Sequence, residues 1–318
     1  MRTYQNILAA SLLAWSGIAA AQDTTNQTPA DAPEQAQAGK VQPTLATPAA
    51  SPSGWQLHGF ADASLKNDYV TPRGLVVTTK GATVQVLDGL TFVSPSGIAI
   101  TAGTWVDLNP YYSRADGNIT TVNEFDYFVS VGATVAKHWK LGAQYIQFIS
   151  GQPSVAFQDE RNIEFSVAYD DSAPGKTFSL NPYAKLFWAF DSKSSTVVTG
   201  KAGDTFDVEL GVVPTLAAGG FTLTAPSWIT VGPKTYWARK NSPIPGVNGD
   251  GNVGVVSTGL KAAVPLAFVN SGGKVSIYAQ AQYFHLINDN LVIAKSLLNS
   301  GDHDRDHVVF GVGLSAGF

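Results

Sequence analysis

The sequence predicts an all-β fold, a transmembrane antiparallel up-and-down β-barrel of about 12 strands, and three observations lead there. Long segments alternate apolar and polar side chains with period two, the pattern of a strand with one apolar face. Charged residues make up only 14 % of the 318, against 44 % hydrophobic, well below the roughly 25 % charged content of an ordinary soluble domain. Finally, the connections between segments are short and long by turns.

The chain opens with a basic start at Arg2, an apolar stretch from Ile7 to Ala20 and the small pair Ala19 and Ala21. This predicts a secretory signal peptide over 1–21, because the apolar run is too short for a spanning helix. From Gln22 to Gly54 there are five prolines, no aromatic residue and few large aliphatic ones. Such a stretch cannot bury enough surface to offset chain entropy, which predicts a disordered Pro/Ala/Gln-rich periplasmic tether over 22–54. There is no Cys, which excludes disulfide scaffolds, thiolate metal sites, cysteine nucleophiles and a lipid anchor. Export without cysteine fits a Gram-negative envelope. A formal charge of −4 excludes nucleic acid as the main partner, since a phosphate-binding surface needs a basic excess.

From Trp55 to Phe318 the expected strands run 56–66, 80–93, 97–107, 124–136, 138–149, 161–170, 180–190, 205–217, 220–231, 253–268, 273–287 and 306–318, and no stretch shows helical period. Phe125, Tyr127, Val129, Val131, Ala133 and Val135 oppose Glu124, Asp126, Ser130 and Thr134. Ile163, Phe165, Val167 and Tyr169 oppose Asn162, Glu164, Ser166 and Asp170. Phe206, Val208, Leu210 and Val212 oppose Asp207 and Glu209, and Val275, Ile277, Ala279 and Ala281 oppose Lys274, Ser276, Gln280 and Gln282. The last strand sets Val308, Phe310, Val312, Leu314 and Phe318 against Gly311, Gly313, Ser315 and Gly317.

Alternation alone also fits a soluble sandwich. The connections decide. Those after strands 2, 4, 8 and 10 are tight, whereas those after strands 1, 3, 5, 7, 9 and 11 are long; DSAPGKTFS after strand 6 is the exception. Short turns at one end and long loops at the other are a barrel's habit, and most segments match the about 9 to 11 residues that cross a bilayer at a tilt. The uncharged stretch from Leu210 to Pro233 is long enough for a membrane helix, but Pro214, Pro226, Gly219 and Gly220 make it a two-strand hairpin.

By parity the inner face carries Glu124, Asp126, Glu164, Asp207 and Glu209, together with Lys140, Lys185, Lys261, Lys274, Gln280 and Gln282. These are the candidate pore-lining groups, and a salt-bridged plug fits them as well as an open conduit. Trp105 also falls inside. Trp55, Trp139, Tyr169, Trp188 and Phe318 lie near strand ends, where aromatic girdles form. Asp302, Asp304 and Asp306 have the spacing that opens a calcium loop, but the glycine and final carboxylate of that motif are replaced by His307 and Gly313. They are a weak metal candidate beside a plain solvated loop. Arg239 and Lys240 could meet lipopolysaccharide phosphates or only water. GLSAG at Gly313 to Gly317 matches a nucleophile-elbow pattern, yet it lies inside a strand with one residue after it, not on a strand-turn-helix.

Two stretches carry a family resemblance. The terminal strand with Phe310 and a final Phe318 resembles the assembly signal of outer-membrane barrels. Asp68, Tyr69, Arg73 and Gly74, then Ser96, Gly97, Gly103, Thr104 and Trp105, then Glu124, Asp126 and Tyr127 resemble motifs of the TorF-type porin family, with an extra residue between Tyr69 and Arg73 and Ile98 at an aromatic position. The resemblance implies an outer-membrane channel barrel without catalytic residues. The expected function is passive diffusion of small polar or charged solutes; a non-conducting structural or adhesive barrel is the alternative. Expected partners are outer-membrane lipid, lipopolysaccharide, the barrel-assembly machinery and small solutes, with no cofactor.

Overall fold

A computed structural model describes residues 54–109, 122–151, 159–173, 176–192, 205–218, 220–237, 246–247, 251–266 and 274–318. The expected signal peptide, the tether up to residue 53, and Arg239 and Lys240 lie outside them. In chain order the strands are β1 (Gln56–Lys66), β2 (Tyr69–Val70), β3 (Val76–Thr78), β4 (Thr83–Val93), β5 (Ile98–Leu108), β6 (Val122–Val135), β7 (Trp139–Ser150), β8 (Glu160–Tyr169), β9 (Phe178–Ser179), β10 (Pro182–Ser192), β11 (Thr205–Val212), β12 (Thr215–Ala218), β13 (Phe221–Thr224), β14 (Ser227–Val231), β15 (Val253–Pro265), β16 (Lys274–Leu286) and β17 (Asp306–Gly317). Two helices join them, α1 (Lys234–Trp237) and α2 (Asp289–Leu298).

All strands but β2 and β3 form one antiparallel ladder. β1 pairs with β4 on one side and β17 on the other, and β14 pairs with both β11 and β15, so the ladder closes on itself. Closure satisfies every wall hydrogen bond without an edge, the condition for spanning a membrane with strands. Three wall positions are each split in two, β9 with β10, β11 with β12 and β13 with β14, so the 15 ladder strands make a transmembrane antiparallel up-and-down barrel of 12.

The splits are a departure from the continuous strands expected over 205–217 and 220–231. Pro214 and Pro226 remove ladder donors in adjacent strands, and Asn181 takes the left-handed conformation (φ 46°) beside them. The Asn181 amide then donates to Ser179 Oγ at 2.8 Å and to the Val213 carbonyl at 3.3 Å, stitching the break shut. Asp171, in the long turn that broke the parity rule, accepts from the Leu180 and Asn181 amides at 2.9 Å each.

The outward face is apolar: Val129 is 51 % exposed, Leu210 47 % and Val312 53 %. Asp88 interrupts it halfway along β4, where the Thr104 hydroxyl of β5 donates to it. Trp139 and Tyr169 meet edge to face at 5.0 Å near the short turns. Toward the long connections, Tyr127, Tyr145, Phe190 and Trp188 form a continuous row with ring centroids 5.8 to 6.4 Å apart.

The apolar core lies inside the barrel mouth, not between layers. The connection after β1, expected as an external loop, is the β2–β3 hairpin, and it is tucked inside with Tyr69 and Val76 fully buried. It packs with Trp228, Trp237, Val255, Phe284, Leu286 and Leu291. α2 corrects the expectation of no helix. Asn288 caps it by accepting from the Asn290 amide at 3.0 Å, Leu291, Val292 and Ala294 face the hairpin core, and the Asn299 amide donates to the Val76 carbonyl at 2.9 Å. Among the described residues no helix is long and apolar enough to cross a membrane.

Candidate functional site in the lumen

The hairpin is built to present one side chain. Thr71, Pro72, Arg73 and Gly74 form a tight turn, with the Gly74 amide donating to the Thr71 carbonyl at 2.9 Å. Proline presets the second position of such a turn, and Gly74 at φ 90° accepts a conformation that other residues resist. A β-carbon on Gly74 would come within 2.9 Å of Val255 Cβ, so glycine is needed for space as well. Trp228 Nε1 donates to the Pro72 carbonyl at 2.9 Å and fixes the tip.

Arg73 reaches from that tip into the far wall. Its Nη1 donates to Glu160 Oε1 of β8 at 2.6 Å and to Tyr236 Oη of α1 at 2.7 Å. The guanidinium carbon stands 5.3 Å from the Phe148 ring centroid of β7 and 5.8 Å from that of Phe187 on β10. Burial works against the charge on Arg73, but Glu160, Tyr236 and Asp207 together outweigh it and hold the group protonated well beyond its ordinary range. The Tyr236 hydroxyl is pushed well above its ordinary range by burial first of all, against the pull of Arg73 and with the Asp207 and Glu160 charges adding to the rise.

On β6, one strand beyond β7 from Glu160, Glu124 accepts from Tyr69, whose ring packs 5.4 Å from Trp105. Burial and then the Glu124 charge raise the Tyr69 hydroxyl well above its usual range, so it is a neutral donor. The hairpin thus ties β6 and β8, the two strands that flank β7, through Tyr69 to Glu124 and Arg73 to Glu160.

The candidate lining residues fall into groups along the ladder. Glu124 and Asp126 lie on β6 by the hairpin base. Glu164, Asp207 and Glu209 gather around β10, where Phe187 stands in register between Glu164 and Asp207. Lys185 Nζ is 3.6 Å from Glu209 Oε1, which also accepts from Tyr183 Oη at 2.8 Å. Gln282 donates to Ser257 Oγ at 2.7 Å, Gln280 is buried, and Lys274 is half-buried at the short-turn end. A separate group links Asp62 to Tyr278 Oη at 2.7 Å, with Lys261 Nζ 3.9 Å above the Tyr278 ring.

Asp302, Asp304 and Asp306 do not converge. Asp302 pairs with Lys295 at 2.9 Å, whereas Asp306 accepts from Tyr283 at 2.5 Å and lies 2.7 Å from His285 Nδ1. Among the described residues no group of three or more His, Asp or Glu is placed to hold a metal ion. The GLSAG segment lies within β17.

No protein-family model and no curated protein matches the chain. Among solved structures the NanC porin is similar at 7 % identity over 81 % of this chain and 98 % of that one, with a TM-score of 0.44. The outer-membrane channel DcaP of Acinetobacter baumannii is similar at 11 % identity over 83 % and 96 %, with a TM-score of 0.36. The barrel architecture stands on the closed ladder and not on these likenesses.

Glu160, Tyr236, Phe148 and Phe187 escaped the sequence reading. Glu160 falls one residue outside the expected strand, and Phe148, Phe187 and Tyr236 carry no local motif that singles them out. A signal was present in the first connection: DYVTPRGLVV is too apolar for a solvated loop, and its Pro-Arg-Gly turn holds Arg73 at the tip.

Proposed function

We propose that the chain is an outer-membrane, porin-like channel for passive diffusion of small polar or charged solutes, closed at its long-loop end by the β2–β3 hairpin. The observation that carries this reading is a gradient of accessibility along one polar inner face. At the short-turn end the inward His58, Lys140, Ser166, Ser276 and Ser315 are half-buried. Nearer the hairpin, Asp107, Asp126, Asn162 and Asp207 are 0 % exposed. A polar passage that is accessible from one end and stopped by a separate chain segment is what a gated conduit requires. Twelve strands lie between side-chain-filled eight-stranded barrels and aqueous sixteen-stranded porins, which suits a narrow path.

In this reading Glu124, Asp126, Glu164, Asp207, Glu209, Lys185, Lys274, Gln280 and Gln282 line the path, and the surplus of carboxyl groups favours cations through its local field. Export uses the segment 1–21, the assembly machinery reads the strand ending in Phe318, and the outward face meets lipid and lipopolysaccharide. The second reading, a non-conducting structural barrel, is favoured by the full burial of Tyr69, Val76 and Leu291. Planar-bilayer recording of the refolded protein separates the two. The channel reading expects small cation-preferring steps whose selectivity falls in Asp126→Asn/Asp207→Asn and falls again as salt screens the charges. Well-folded protein that never conducts supports the structural barrel.

A further inference from the structure

The surroundings of Arg73 have the composition of a receptor for a planar organic cation. Two aromatic rings from different strands, Phe148 and Phe187, lie within cation–π reach of the guanidinium. Glu160 supplies the anionic partner and Tyr236 a neutral acceptor. Asp207 is fully buried and keeps both carboxylate oxygens outside ordinary hydrogen-bonding geometry, with the Tyr236 hydroxyl beside it. Beside this point Arg73 pairs with Glu160, and Lys185 is engaged by Glu209. Moreover, the cation that fills the pocket comes from a connection, not from the wall, so the pocket is complete without it.

We propose that Glu160, Tyr236, Asp207, Phe148 and Phe187 form a guanidinium-recognition site, which the hairpin fills with its own Arg73 in the closed state and which solutes bearing a guanidinium group fill when the hairpin withdraws. This rests on the channel reading for its purpose but not for its chemistry. A planar delocalised cation stacks between rings and donates in the ring plane, which a compact, strongly hydrated ammonium does less well. The solute class is therefore guanidinium compounds ahead of alkylammonium ions of equal charge, and Arg73 is their intramolecular competitor.

The test is binding to the refolded barrel in detergent, measured by calorimetry and by thermal midpoint, with methylguanidinium and methylammonium as probes at low millimolar concentration. Arg73→Ala should lower the midpoint, and methylguanidinium should restore it with about tenfold preference over methylammonium. Arg73→Ala/Glu160→Gln should lose that preference. Equal response to the two cations, or rescue that survives Glu160→Gln, overturns the proposal. Should Arg73→Ala fail to refold, Arg73→Lys keeps a cation on the hairpin. Methylguanidinium should then displace the weaker occupant and expose the hairpin to protease, and no displacement overturns the proposal equally. Binding needs no bilayer, so selective binding without conductance sinks only the channel reading, and conductance without selective binding sinks only this site.

Discussion

The Phe318 ring lies directly over Gly59, where a β-carbon would come within 2.0 Å of its Cζ. The two residues also exchange backbone hydrogen bonds, Gly59 N to Phe318 O at 2.8 Å and Phe318 N to Gly59 O at 3.0 Å. They form the last rung of the seam that closes β1 on β17. Deleting Phe318, or installing Gly59→Val, should therefore reduce outer-membrane insertion. Normal membrane levels with unchanged folded mobility in unheated detergent gels would contradict this.

Val129 on β6 points outward and Ser130, its neighbour, points in. An Arg at Val129 should cost about 2 to 4 kcal/mol near the bilayer midplane, whereas Ser130→Ala should cost much less. Urea unfolding in lipid vesicles measures both. Equal costs would mean that the outer face does not meet lipid.

Gly74→Ala adds a methyl against Val255 at a backbone angle of φ 90°. Strain of this kind costs roughly 1 to 3 kcal/mol, and it should fall on hairpin docking and not on the wall. Amide exchange should accelerate over residues 69–78 while β5 to β8 keep their protection. Uniform loosening of the barrel would show that the hairpin is not a separable unit.

Acidification should undock α2. Partial burial opposes ionisation of Asp302, but the Asp304 amide and the Lys295 ammonium outweigh it and hold the carboxyl below its ordinary range. A carboxyl depressed on folding contributes stability that is present above the ordinary aspartate value of about 4 and is lost as pH falls through the lower folded value. Lys295 is 1 % exposed, so protonating Asp302 strands a buried ammonium on the Asp304 carbonyl alone. Amide protection of α2 should fall below about pH 4 in the natural chain, and Asp302→Asn should remove that step. An unchanged pH profile in the variant would assign the effect elsewhere.

The walls were legible because a barrel strand must alternate: the parity that sends Val129 to lipid sends Asp126 inward, and nothing local competes. Strand ends agree with the expected ones to within three residues at every uninterrupted position. The interior was not legible, for a physical reason. Contacts such as Arg73 with Glu160 join residues far apart in sequence, and only closure of the sheet brings them together. α2 was missed for a different reason. NDNLVIAKSLLNSG carries a cap at Asn288, Asp289 in the first turn and Lys295 in the last, but a short, partly apolar segment between strands also reads as strand or loop. The charged lining residues were visible by parity, whereas which of them meet the hairpin depends on a fold-back that no periodicity encodes.

The central claim is that the hairpin closes a conduit, and single-channel recording with the hairpin removed tests it most directly. Replacing residues 68–78 by a Gly/Ser linker of equal length leaves all 12 wall positions intact. The natural chain should give small or rare steps and the replaced one steady, several-fold larger steps. A folded, hairpin-less barrel that conducts no more than the natural chain would contradict it.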